Sequence, residues 1–336
     1  NTKYLVYRLA LSATVEYVTA VGGTLNMATT SMLTALNRVN QIYERDLGIR
    51  LQLIAGNDSL IELDGLAGLS NNNLTSLINE NQTWIEQNID PANYDIGHVF
   101  STSNGGLAQI GTVCSTDINR HKAKAATGLP NPTGETFYID FVAHEIGHQF
   151  NAEHTFNGST SSCSPGRNTF TAFEPGSGST IMSYTGICGT ENIQSVSDAV
   201  FHSETIARIH AYTSSGFGNC GTEVSAGNPN EPVVNAGSDY TIPVGTPFQL
   251  SASSSSDADG DTLTYQWDQI DLGTATTTAT FGTDLGDNPL FRSFLPQPES
   301  SRDFPALGTQ LGTQIDKSEA LPCTARNLNF RLTARD

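Results

Sequence analysis

The run His144-Glu145-Ile146-Gly147-His148-Gln149-Phe150-Asn151-Ala152-Glu153-His154 constrains this chain more than any other stretch. On a helix, His144 and His148 stand four residues apart, so both imidazoles leave one face a turn apart and can meet one metal ion. That is half of a zinc site. A catalytic zinc takes three protein ligands and keeps a position for water, and His154 can be the third ligand only if the chain reverses after the helix. Asn151 stands where that reversal must fall, because Asn tolerates left-handed backbone better than any residue but Gly. Phe137, Phe141, His144 and His148 also read as one buried helical face, which would make the histidines core residues. Histidine is scarce, however, with 7 in 336 residues, and H-E-x-x-H should arise by chance in about one such chain in a hundred. Glu145 leaves the same turn of helix and can take a proton from a metal-bound water, then pass it to a leaving amine.

Downstream lies Thr180-Ile181-Met182-Ser183-Tyr184. Together with the histidine run, this segment resembles the metzincin zinc endopeptidases, whose H-E-x-x-H-x-x-G-x-x-H motif is followed by a methionine turn. The strings Gly147-His148-Gln149-Phe150, His154-Thr155-Phe156-Asn157-Gly158 and Glu174-Pro175-Gly176-Ser177-Gly178-Ser179 look most like secreted bacterial reprolysin-like (M12B-type) peptidases. Asn151 replaces the family glycine, and Thr155 replaces the aspartate that follows the third histidine in animal reprolysins. The His-Thr-Phe ending and the Met-x-Tyr turn are also similar to pappalysin-type metzincins. The resemblance implies zinc on His144, His148 and His154, with Glu145 as general base. It further implies Met182 as a hydrophobic floor under the imidazoles and Tyr184 as a stabiliser of the oxyanion. In the same way, Gly105 to Gly111 looks like the edge strand that metzincins offer to substrate. An unpaired edge there can take an extended peptide through backbone bonds at Leu107, Ala108 and Gln109.

Sixteen Lys plus Arg against 34 Asp plus Glu give a formal charge of −18, which repels phosphate backbones and anionic membrane surfaces. No apolar run is long enough to span a bilayer. The expected partner is an extended polypeptide substrate of a secreted, monomeric protein, with no nucleic acid and no membrane insertion. The 5 cysteines include no C-x-x-C pair, so a zinc knuckle is not supported. Cys114, Cys163, Cys188 and Cys220 lie in the same region as the histidines and permit three pairings. The family resemblance favours Cys163 with Cys188 and Cys114 with Cys220, leaving Cys323 over.

Along the chain, residues 4 to 14 read as a buried central strand. Met32, Leu36, Val39 and Tyr43 mark an amphipathic helix, Leu51 to Ala55 a strand, Leu74 to Gln87 a second helix burying Leu74, Leu77, Ile78, Trp84 and Ile85, and Tyr94 to Phe100 another strand. This alternation is α/β. The zinc helix is expected over Phe137 to Phe150. A final helix is expected over Val196 to Tyr212, burying Val196, Val200, Ile206 and Ile209, with His202 and His210 in packing or surface roles. The fold expectation is therefore an α/β (α+β) domain over 1–222, a linker over 223–235, and an all-β sandwich over 236–336. The last segment resembles the polycystic-kidney-disease-type (PKD) immunoglobulin-like modules of secreted bacterial enzymes, although Asp268-Gln269-Ile270-Asp271 replaces their usual Asp-Phe-Gly-Asp-Gly. Residues 288 to 321 read as a long loop, and the closing strand at Phe330 to Asp336 suggests a polypeptide that continues, with the module short of its last strand. Asp257, Asp259 and Asp261 cluster in a turn that could hold Ca²⁺, although the spacing is not an EF-hand. Two other function classes remain open from sequence: an inert peptidase-like adhesion protein, and a zinc amidase acting on a non-protein substrate.

Overall fold

The computed structural model describes residues 2–117 and 121–336. In chain order the first elements are β1 (Lys3–Ala13), α1 (Val15–Ala20), α2 (Leu25–Leu47), β2 (Ile49–Leu53) and α3 (Leu74–Asn88). Then come β3 (Ile96–Ser101), β4 (Gly105–Ala108), β5 (Ala125–Gly128), a π-helix over Thr136–Ala143, and α4 (His144–Gln149). The later elements are α5 (Cys163–Gly166), α6 (Ser203–Ser215), β6 (Thr222–Ser225), β7 (Phe248–Ser251), β8 (Thr264–Gln269), β9 (Ser301–Phe304), α7 (Leu307–Gln310) and β10 (Phe330–Arg335). Packing divides the chain into two compact units. One joins Lys3–Ala152 to Ala207–Ala226, and the other joins Glu153–Ile206 to Gly227–Asp336.

The first unit is built on a six-stranded mixed sheet in the order β2-β1-β3-β5-β4, with β6 also on β1. β1 runs parallel to β2 and β3, whereas β4 and β6 pair antiparallel to β5 and β1. Tyr7 and residues Leu9 to Ala13 are all buried, which is why β1 carries an apolar run in place of alternation. α2 covers the sheet with Met32, Ala35, Leu36, Val39, Ile42 and Tyr43. Thr24 caps its first turn by accepting the Met27 N–H, and Gly48 ends it at φ 63°, the left-handed conformation that glycine adopts without strain.

Several boundaries differ from the sequence expectation. β2 starts at Ile49 and β3 at Ile96. On α3, Leu74, Ile78 and Trp84 are only half-buried, and the polar Asn81 and Gln82 take buried positions. They can do so because Asn81 donates to the Ala123 carbonyl and Gln82 accepts from the Ala123 N–H, satisfying groups that would otherwise be orphaned. Residues 222–225, read from the sequence as the end of the domain and the start of a linker, form β6.

In the second unit, β8 pairs with β10 and β7 with β9, both antiparallel. Ala252, Trp267, Leu290, Phe291 and Phe304 form their common core, giving the expected sandwich type. The stretch read as a loop over 288–321 contains β9 and α7. The last helix of the peptidase-like part starts at Ser203, later than expected, and Val196 is 47 % exposed. The cause is a specific start signal: the Asp268 carboxylate accepts the Ser203 N–H, His202 Nδ1 accepts the Glu204 N–H, and the His202 carbonyl accepts the Ile206 N–H. Such side-chain acceptors occupy donors that a helix leaves unpaired at its first turn.

Candidate metal centre

His144, His148 and His154 each offer one ring nitrogen, and these atoms lie within 4.8 Å of one another. The first two imidazoles stand edge to face, with ring centroids 4.7 Å apart, one turn of α4 separating them. Below α4 the chain turns by a Schellman arrangement. The Ala152 N–H bonds the Gly147 carbonyl, the Asn151 N–H bonds that of His148, and Asn151 itself sits at φ 73°. Arg208 Nε donates to the Asn151 carbonyl at 2.5 Å and holds the turned residue in place.

The second ring nitrogens decide what the histidines can bind. His148 Nδ1 lies 2.8 Å from the Ala152 carbonyl and His154 Nδ1 lies 2.6 Å from the Gly166 carbonyl. A carbonyl only accepts, so each Nδ1 carries the proton and each Nε2 presents a lone pair, the state a metal ligand requires. Burial pushes the His154 pKa down, which favours the same neutral form. The donor set therefore fits zinc: borderline nitrogen ligands, three in number, with carbonyls orienting two of them.

Glu145 lies in the same turn and is 7 % exposed. Burial pushes its carboxyl up to about 8. It rests against the edge strand, where a β-carbon on Gly106 would stand 2.3 Å from Glu145 Oε1. β4 is the last strand in the sheet order, with Leu107 and Ala108 paired to β5 on one side and the Gln109 N–H bonded to the Lys124 carbonyl. Sequence and structure thus bring the carboxylate and the strand together at a residue that has no side chain.

α4 is anchored to the sheet by residues to which the sequence assigned no role. His98 on β3 is fully buried, with Nδ1 3.0 Å from Gln149 Oε1 and Nε2 2.8 Å from the Thr127 hydroxyl. Gln149 in turn donates to the Gly97 carbonyl at 2.8 Å. Because the amide oxygen accepts from Nδ1–H and the hydroxyl donates to Nε2, His98 is neutral, and burial lowers its pKa to about 4. A buried polar network of this kind fixes one position of the helix on the strands. Its only sequence signal is a lone histidine in an apolar run.

Met182 is fully buried, and its carbonyl accepts the Thr155 N–H at 3.1 Å. Tyr184 packs its ring on His154, with centroids 4.4 Å apart, and stacks on Phe156. Glu174, also without a role in the sequence reading, is 1 % exposed and accepts bonds from Thr155 Oγ1, the Ser179 N–H and both donors of Thr180. It ties the residue after the third histidine to the start of the methionine turn. Disulfides join Cys114 to Cys220 and Cys163 to Cys188, and Cys323 is a free, exposed thiol. Asp257, Asp259 and Asp261 also converge within 4.8 Å, where Asp257 Oδ1 accepts the backbone N–H groups of the other two. His202 is buried and stacks on Phe173.

The reprolysin-like metallopeptidase family M12B matches residues 3–210, and a PKD domain matches residues 229–282. No curated protein matches the chain. Among solved structures, a chaperone–substrate complex is similar at 16% identity and TM-score 0.42, over 64% of this chain and 35% of that one. Wild-type OgpA from Akkermansia muciniphila aligns at 11% identity and TM-score 0.28, over 99% of this chain and 93% of its own.

Proposed function

Because the chain belongs to the reprolysin-like M12B metallopeptidases, we propose that it is a zinc endopeptidase acting on extended polypeptide outside the cell, as a monomer. The peptidase part would occupy 1–222 and the sandwich module 236–336. The observation that carries this reading is the convergence of three histidine nitrogens beside a buried glutamate lying against an edge strand. His144, His148 and His154 would hold the ion, which when bound acidifies a water and polarises a carbonyl. Every other part of the chemistry falls to the chain. The outer edge of β4 at Leu107, Ala108 and Gln109 would take the substrate as one more strand, through backbone bonds and with little demand on side chains. Glu145 would accept the proton of the attacking water and return it to the leaving amine, a contribution of roughly a hundred- to ten-thousand-fold. Tyr184, held on the His154 ring, would donate its hydroxyl to the developing oxyanion, and Met182 would close the floor with apolar surface. Two disulfides favour an oxidising compartment, and among the described residues no helix is long and apolar enough to cross a membrane. The Asp257 turn is a proposed Ca²⁺ site of secondary weight.

The test is cleavage of an unfolded protein before and after chelation, with zinc then added back. Loss on chelation and recovery with zinc supports the reading. Cleavage that persists in a demonstrably zinc-free sample refutes it.

A further inference from the structure

An appended β-sandwich ordinarily reads as a separate accessory, but here its loops are bonded into the segment that carries the third histidine. Asn157, fully buried, donates from Nδ2 to the Thr274 carbonyl at 2.9 Å. Arg167 Nη2 donates both to Asn157 Oδ1 at 2.7 Å and to the Gly273 carbonyl at 2.8 Å. The Thr276 N–H bonds the Asn157 carbonyl, and its hydroxyl meets the buried Glu191, which also accepts the Ser159 N–H. The residue before Arg167 is Gly166, whose carbonyl accepts His154 Nδ1–H. Residues 273–276 of the module are thus hydrogen-bonded to Arg167, and one peptide link further on the Gly166 carbonyl is bonded to the His154 imidazole.

We propose that the sandwich module is a positioning part of the metal centre. Through Asn157 and Arg167, its 273–276 loop holds the Gly166 carbonyl that orients His154. The inference rests on the zinc reading above and extends it. Partners that orient a ligating histidine commonly contribute 10- to 100-fold in metal affinity, and a carbonyl in a loop can do so only if the loop itself is fixed. Within the 157–167 loop the Cys163–Cys188 disulfide and the Thr160 hydroxyl on the Cys188 carbonyl tie the chain to the 188 turn, whereas Asn157, Ser159 and Arg167 all end on module carbonyls, and Arg167 is the one next to Gly166. The module side has its own brace: Asp287 accepts the Thr274 N–H and hydroxyl at 3.0 and 3.1 Å.

The experiment measures zinc affinity by chelator competition on the full chain: wild type, Arg167→Ala, Asp287→Ala, and Phe330→Leu as a control that loosens the module core elsewhere. Circular dichroism establishes folding, and Arg167→Lys replaces Arg167→Ala should the latter unfold, since it keeps the charge and loses the forked geometry. The expected result is zinc binding weakened about 10- to 100-fold by the Arg167 and Asp287 variants, with excess zinc restoring cleavage. Phe330→Leu should melt earlier with its zinc affinity kept. Unchanged affinity in the Arg167 variant overturns the proposal, as does an equal loss in Phe330→Leu. Loss in the Arg167 variant alone confines the effect to the 157–167 loop and overturns the module's part. A wild type that binds no zinc sinks the zinc reading itself, a failure distinct from these.

Discussion

At Gly106 the absence of a side chain lets the Glu145 carboxylate, the proposed general base, lie against the edge strand β4. Gly106→Ala places a methyl on Glu145, so the glutamate must turn away. We expect zinc content to be kept and turnover to fall by roughly a hundredfold, within the range of a lost acid–base group. Wild-type turnover in this variant would show that Glu145 does not work from the position seen here. His98 carries a second prediction at this scale. Its folded pKa is lowered to about 4, whereas unfolded histidine titrates near ~6.5. Between these values the unfolded chain binds the extra proton, so this stabilisation is present above the unfolded pKa and is lost as pH falls toward the folded one. The loss amounts to about 3 kcal/mol. Urea unfolding at several pH values should show this slope, and His98→Gln should flatten it.

Among the elements, the turn after α4 shows how local backbone geometry redirects the chain ahead of the third histidine, His154. Asn151 at φ 73° is in a conformation that suits Gly and strains a β-carbon without a compensating amide. Asn151→Ala should therefore lower stability by about 1 kcal/mol, and Asn151→Gly should leave it within about 0.5 kcal/mol, both read by thermal melting. The need for this turn was legible in the sequence, because the spacing of three histidines demanded a reversal at Asn151. So were β1, from its continuous apolar run, α2, from its helical apolar spacing, and the presence of α3, although not the polar residues that α3 buries. What was not legible had its cause elsewhere in the chain. The start of α6 depends on Asp268, 65 residues away from Ser203, and no local signal announces it. The wide π-helical turn before α4 has the same apolar spacing that an α-helix would show over so few residues. Asn81, Gln82, His98 and Glu174 are polar residues whose burial follows from partners on other strands and turns. Composition alone would have left them at the surface.

For the whole molecule, two disulfides and a hydrogen-bond network brace the stretch after α4, which carries little regular structure before α6. Cys114–Cys220 spans a sequence separation of 106 residues, and a loop of that length makes the cross-link worth about 2–5 kcal/mol through the unfolded state. The Cys114→Ser/Cys220→Ser double variant should melt markedly earlier than wild type. The histidine run, the methionine turn and the module were each readable in isolation. That the module's 273–276 loop is bonded to the segment carrying His154 was not, since backbone carbonyls leave no trace in a sequence.

The central claim is that one glutamate on a three-histidine zinc centre moves the proton for peptide hydrolysis. The most direct measurement compares wild type with Glu145→Ala on a denatured protein substrate, with zinc content determined in both. The account predicts equal zinc and a loss of cleavage of roughly a hundredfold or more in the variant. Zinc-loaded Glu145→Ala that cuts as fast as wild type would contradict it.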